Sequence, residues 1–68
     1  MAERLANRMR ERRTELDLTQ AELAEKVGVT RKTVNTVENA VFTPSTTLAI
    51  KLAQALGTTV EQLFWIER

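Results

Sequence analysis

Between Thr19 and Asn39 the chain reads TQAELAEKVGVTRKTVNTVEN, and this stretch restricts the possible folds more than any other. Thr19 and Glu22 have the spacing of a capping box, in which each side chain closes the first turn of a helix against the other's backbone N–H. Leu23, Ala24 and Val27 supply the apolar stripe of that helix. Gly28 follows, where a left-handed residue ends a helix without steric cost. Thr30 is then the N-cap of a further helix reaching about Asn39, whose buried residues can only be Val34 and Val37. Two such short helices joined by so tight a turn cannot lie side by side. They must cross steeply and touch closely, which suits a residue as small as Ala24. Turning Val34 and Val37 inward turns Arg31, Lys32, Asn35 and Thr36 outward together.

The remaining chain reads as three more helices. The first spans about Ala2 to Leu16, with Leu5, Ala6, Met9 and Leu16 on one side and arginines over most of the rest. The fourth starts at Ser45 after Pro44, carries Leu48, Ala49, Leu52, Ala53 and Leu56, and stops at Gly57. The fifth starts at Thr59, with Gln62 completing a second capping box, and carries Val60, Leu63 and Phe64. Both glycines therefore fall just past a helix end, so the boundaries agree with one another. The expected fold is all-α, a single five-helix domain over residues 1–68. The tail QLFWIER stays open between helix and a short strand, because one helix cannot aim Leu63, Phe64, Trp65 and Ile66 all into a small core.

With 68 residues the chain has a thin core, burying only about 60% of its unfolded surface. It has no Cys and no His, which excludes disulfides, thiolate chemistry and the usual zinc sites. No metal or cofactor is expected, and no enzyme. The carboxylate pairs Glu22/Glu25 and Glu11/Glu15 lie beside arginines on exposed helix faces and read as solvated charges. No stretch is apolar enough to span a membrane and no signal-peptide pattern precedes the fold, so a cytoplasmic location is expected. Net charge is only +1, yet most of the basic residues lie in the first half, from Arg4 to Lys32. One basic end suits a polyanion such as nucleic acid.

A helix that projects polar hydrogen-bonding side chains from its first turns is what the DNA major groove admits. Arg and Lys read guanine edges or hold phosphate, Asn pairs with adenine, and Thr donates to an acceptor or touches a thymine methyl. The N–H groups at the helix starts of Gln20 and Thr30 favour a phosphate oxygen. The stretch LTQAELAEKVGVTRKTVNTVEN also resembles the helix-turn-helix of lambda-repressor-like, Cro/repressor-type regulators, through Gln20, Ala24, Gly28, Val34, Val37 and Glu38 at the family's spacings. NRMRERR before it and TPSTTLAIKLAQALGTTVEQLFW after it extend the resemblance over nearly the whole chain. It implies a sequence-specific regulator of transcription, acting as a repressor on double-stranded DNA. It further implies Arg31, Lys32, Asn35 and Thr36 as base readers, and Gln20, Thr30, Thr33 and Asn39 as phosphate contacts. Arg13 and Glu38 match a partly buried ion pair.

Three departures from the family's pattern stand out. Asp17 replaces a Gly before the motif, Arg12 replaces an apolar residue, and Ala40, Val41 and Phe42 replace a Gly followed by polar residues. Ala40 is expected just past the third helix, where a left-handed backbone would strain it, and Phe42 is expected to cover the core beneath its loop. The competing function is a protein-interaction module, or the antitoxin half of a pair, on the same scaffold. Such a module has no need of Arg31 and Lys32 flanked by hydroxyls. Because a helix-turn-helix monomer touches few bases, a homodimer is expected. Leu63, Trp65 and Ile66 would form its interface, with the extended tail pairing with its two-fold mate; the alternative is a tail folded back on its own first helix.

Overall fold

A computed structural model describes residues 3–68. Five helices and two short strands follow one another: β1 (Arg4–Asn7), α1 (Met9–Glu15), α2 (Gln20–Val27), α3 (Arg31–Glu38), α4 (Thr46–Ala55), α5 (Val60–Leu63) and β2 (Phe64–Glu67). The helices enclose one core of Met9, Leu23, Val34, Val37, Leu52, Leu56 and Leu63, each at most 1% exposed. Ala24, on α2, is 3% exposed. No described helix is long and apolar enough to cross a membrane.

The four later helices open alike. Thr19, Thr30, Ser45 and Thr59 are extended and each side chain accepts the N–H three residues on, the bond that gives these residue types their place at a helix start. At α2 the capping box is reciprocal, because Glu22 Oε1 also accepts the Thr19 N–H at 2.8 Å. At α5 it is not: Gln62 Oε1 accepts from the Thr58 hydroxyl instead, at 2.9 Å.

The first four helices also close alike. Asp17, Gly28, Ala40 and Gly57 all have φ between 59° and 77°. The N–H of the following residue reaches a carbonyl five positions back in every case: Leu18 to Arg13, Val29 to Ala24, Val41 to Thr36 and Thr58 to Ala53. This is the Schellman closure, which satisfies carbonyls the helix leaves bare. Asp tolerates the left-handed region better than most residues, whereas Ala carries a strain of about 1–2 kcal/mol there. Ala40→Gly should therefore stabilise the protein. The added freedom of the unfolded chain offsets about 0.4–1 kcal/mol of the relief, leaving a rise in Tm of a few degrees in a thermal melt. A lower Tm would mean that the Ala40 Cβ makes packing contacts worth more than the strain.

The N-terminal segment differs from the helix expected there. Ala2 lies outside the described residues, and Arg4–Asn7 is a strand, so α1 begins only at Met9. The cause is Asn7. Its Oδ1 accepts the Met9 N–H at 3.0 Å and starts the helix, while its Nδ2 donates to the Val37 carbonyl at 2.9 Å. The extended residues before it pair antiparallel with the tail, in the register Arg4↔Glu67, Leu5↔Ile66, Ala6↔Trp65 and Asn7↔Phe64. The tail is thus a strand, and its partner is the start of the same chain rather than a two-fold mate. Leu63 and Phe64 belong to the core, at 0% and 6% exposure. Leu16 caps the end of α1 and is exposed instead of packing inward.

Candidate nucleic-acid interface

Arg31 and Lys32 occupy the first turn of α3 and are exposed. Val34 and Val37 anchor the opposite side of the helix at 1% exposure. That leaves Asn35 exposed and Thr36 half-buried on the outer side. No acidic residue lies in the first turn, so the positive end of the helix dipole and two cations coincide.

Ion pairing sharpens this picture. Among the described residues Arg4 pairs with Glu67, Arg12 with Glu15, Arg13 and Arg10 with Glu38, and Arg68 with Glu3. The arginine-rich first helix, which reads in sequence as the basic end, is thereby largely compensated from within. Arg31 and Lys32 take part in none of these pairs. Arg8 also stands apart, its guanidinium 5.1 Å from the centre of the Trp65 ring.

The residues expected to hold phosphate divide into two groups. Thr30 caps α3, and its hydroxyl lies 3.0 Å from that of Thr33. Gln20 heads α2 and donates through Nε2 to Glu38 Oε1 at 3.0 Å. An amide nitrogen carries two hydrogens, so one remains for an outside acceptor. Asn39 lies at the opposite end of α3, which it caps. Its Nδ2 donates to the Asn35 carbonyl at 3.0 Å and its Oδ1 accepts from Arg10 at 3.3 Å. Asn39 is exposed, and the second hydrogen of its Nδ2 is likewise left for an outside acceptor.

Beneath this surface Arg13 and Glu38 lock the motif together. Nε and Nη2 of Arg13 meet the two Glu38 oxygens at 2.7 and 3.3 Å, and Nη1 donates to the Leu18 carbonyl at 2.9 Å. The Glu38 side chain is fully buried and that of Arg13 is 15% exposed. Burial pushes the Glu38 carboxyl up, but hydrogen bonds from Arg13 and Gln20, with the charges of Arg13 and Arg10, hold it below the usual carboxylate value. One carboxylate so ties α1, α2 and α3 together.

Helix-turn-helix geometry with this register of cap, turn and anchors is matched by the family model for the helix-turn-helix, over residues 9–63. The chain belongs to the Cro/repressor-type helix-turn-helix family. It is 48% identical over 60 residues to an uncharacterized HTH-type transcriptional regulator of Methanothermobacter thermautotrophicus, covering 87% of each chain. It is 38% identical over 63 residues to the uncharacterized HTH-type transcriptional regulator YgzD of Bacillus subtilis, covering 93% of this chain and 96% of that one. Among solved structures, the hypothetical transcription factor NHTF from Neisseria superposes with a TM-score of 0.74 at 33% identity. The match covers 79% of this chain and 62% of NHTF, so it spans under two thirds of that longer protein. The clp gene regulator ClgR from Corynebacterium glutamicum gives 0.73 at 29% identity, covering 76% and 55% respectively.

One part of this helix-turn-helix surface is missed by sequence reasoning. Phe42 does not cover the core but is 49% exposed, and Val41 beside it is 77% exposed. With Lys32, Thr33, Thr36 and Leu48 they line an open groove of about 470 Å³ along one flank of α3. The available signal was two adjacent large apolar residues in a loop, where polar ones would ordinarily stand.

Proposed function

We propose that this protein is a sequence-specific regulator of transcription, acting as a repressor by occupying a pseudo-palindromic operator in double-stranded DNA. The observation that carries the reading is the pair Arg31 and Lys32, exposed and without ion-pair partners among the described residues, on the first turn of a helix anchored only by its opposite side. Arg31, Lys32, Asn35 and Thr36 read base edges, and Gln20, Thr30, Thr33 and Asn39 hold phosphate. Selection of bound duplexes from a random pool, followed by a salt titration of the winner, tests this. Enrichment of one motif is expected, with affinity falling steeply with salt, log–log slope about −0.9 per phosphate neutralised. A pool that shows no enriched motif would sink the reading.

The protein acts on two half-sites as a homodimer, which sets the reading helices roughly 34 Å apart. Leu63 lies in the monomer core and is no part of that surface. Trp65 and Ile66, at 38% and 57% exposure, remain available on β2. The two-stranded sheet leaves β2 an edge with no strand beside it among the described residues, and a two-fold mate can pair there. Sedimentation at micromolar concentration should show a dimer for the wild type and a shift toward monomer for Trp65→Ala. A monomeric wild type, or a variant that dimerises equally well, would remove the tail as the main interface.

A further inference from the structure

The groove beside α3 is built rather than incidental. Its loop wall is held by two hydrogen bonds to a single carbonyl: the N–H groups of Val41 and Phe42 both reach the oxygen of Thr36, at 2.9 and 3.2 Å. Its helix wall is less polar than its residue types imply. The Thr36 hydroxyl donates to the Thr33 carbonyl at 3.0 Å, and the Thr33 hydroxyl is bonded to that of Thr30. These bonds take up the Thr36 proton and one proton of the Thr30–Thr33 pair. The threonines thus bring less free hydrogen-bonding capacity to the groove than their type implies, while the pair's second proton stays free for phosphate. Val41, Phe42 and Leu48 complete an apolar lining, and Lys32 puts a positive charge at its rim.

We infer that this groove receives the C5-methyl group of a thymine, making Val41 and Phe42 specificity-determining residues. The inference rests on the DNA-binding reading above and deepens it. The groove shares Lys32, Thr33 and Thr36 with the surface that reads bases, so a duplex held by that surface brings its major-groove edge to this one. The thymine methyl is the one apolar group a base pair shows in that groove. An apolar peptide fits less well, because the rim charge of Lys32 stands in a helix turn that holds a second cation, Arg31, and no acidic residue. Arg31 and Lys32 thus bring the anionic duplex in, and the groove distinguishes thymine from cytosine within it.

The test uses the duplex selected from the random pool, with each thymine replaced in turn by uracil, which pairs identically and lacks only the methyl. At one or more positions wild-type affinity should fall about fourfold, the effect of losing one buried methyl group. In Val41→Ser with Phe42→Ala, the same replacement should change affinity less than twofold. Both side chains are substantially exposed, and a thermal melt checks that the variant is folded. Wild type indifferent to every uracil, or a variant as sensitive as wild type, overturns the inference while leaving DNA binding intact. A pool with no enriched duplex overturns the regulator reading and this inference with it. A variant that sediments as a monomer where wild type is a dimer would assign the groove to a second copy of the chain instead.

Discussion

Arg13→Ala should destabilise the protein by about 3–5 kcal/mol, the range for breaking a buried pair by removing one partner. A domain of this length has a total stability of only about 3–10 kcal/mol, so the variant should be partly or wholly unfolded at room temperature. The cause is what stays behind. Glu38 keeps a fully buried carboxylate with one hydrogen bond from Gln20 and a guanidinium, that of Arg10, at 3.6 Å. The Leu18 carbonyl also loses its donor. Urea unfolding followed by circular dichroism measures the loss, and a change below about 1 kcal/mol would mean that water reaches Glu38 once Arg13 is gone. Replacing both members, Arg13→Met with Glu38→Gln, should cost less than the two single changes added together. The pair also sets an acid limit. The folded-state pKa of Glu38 is depressed, so its contribution is fully present above the unfolded value of about 4.5 and is lost as pH falls through the lower folded value. Glu22 acts in the same direction, since the Thr19 backbone N–H and hydroxyl bonds hold its carboxyl low. Glu38→Gln should flatten the decline of stability between pH 5 and acid denaturation relative to wild type.

Arg31→Ala and Lys32→Ala should each relax base preference at one or two operator positions. The expected cost is about 1–3 kcal/mol where the lost contact is bidentate to guanine, with little change in stability. Both side chains are exposed at a helix start and hold nothing in the fold. Their loss therefore separates readout from folding, as few positions in so small a domain can. Gln20→Ala is the contrasting case. It should weaken binding to all sequences alike, because a phosphate contact carries no base information. It should also lower stability modestly, because its amide donates to Glu38. Repeating the pool selection with each variant settles the assignment. If the Arg31 and Lys32 variants select the wild-type motif unchanged, α3 does not read bases.

What was legible in the sequence was local. Thr19, Thr30, Ser45 and Thr59 announce helix starts because the bond each makes lies three residues away. Gly28 and Gly57 announce ends because few other residues take their backbone angles. The exposed face of α3 follows from two valines three apart. The illegible parts all depend on distant partners. RLAN continues the apolar pattern of Met9 and reads as helix, and only the tail and the Val37 carbonyl make it a strand. Arg12 looks like a misfit among apolar relatives, yet its Nε donates to the Leu56 carbonyl at 2.7 Å and so caps the end of α4. Nothing near Arg12 in sequence shows that carbonyl. The groove was hidden for the same reason, because the two threonine hydroxyls read as polar until their internal partners are known.

The pairing of β1 with β2 joins positions as far apart as Arg4 and Glu67, 63 residues along the chain. Closing so long a loop has an entropic cost of about 3–4 kcal/mol when it forms ahead of other contacts. The ribbon should thus assemble after the helices have met, and it should be the first part to open. Trp65, the sole tryptophan, stands on that ribbon. Its fluorescence is therefore a clock for the meeting of the two ends rather than for the helical body. In stopped-flow refolding the tryptophan signal should trail the far-ultraviolet helical signal, and two coincident time courses would show that ribbon and body form in one step.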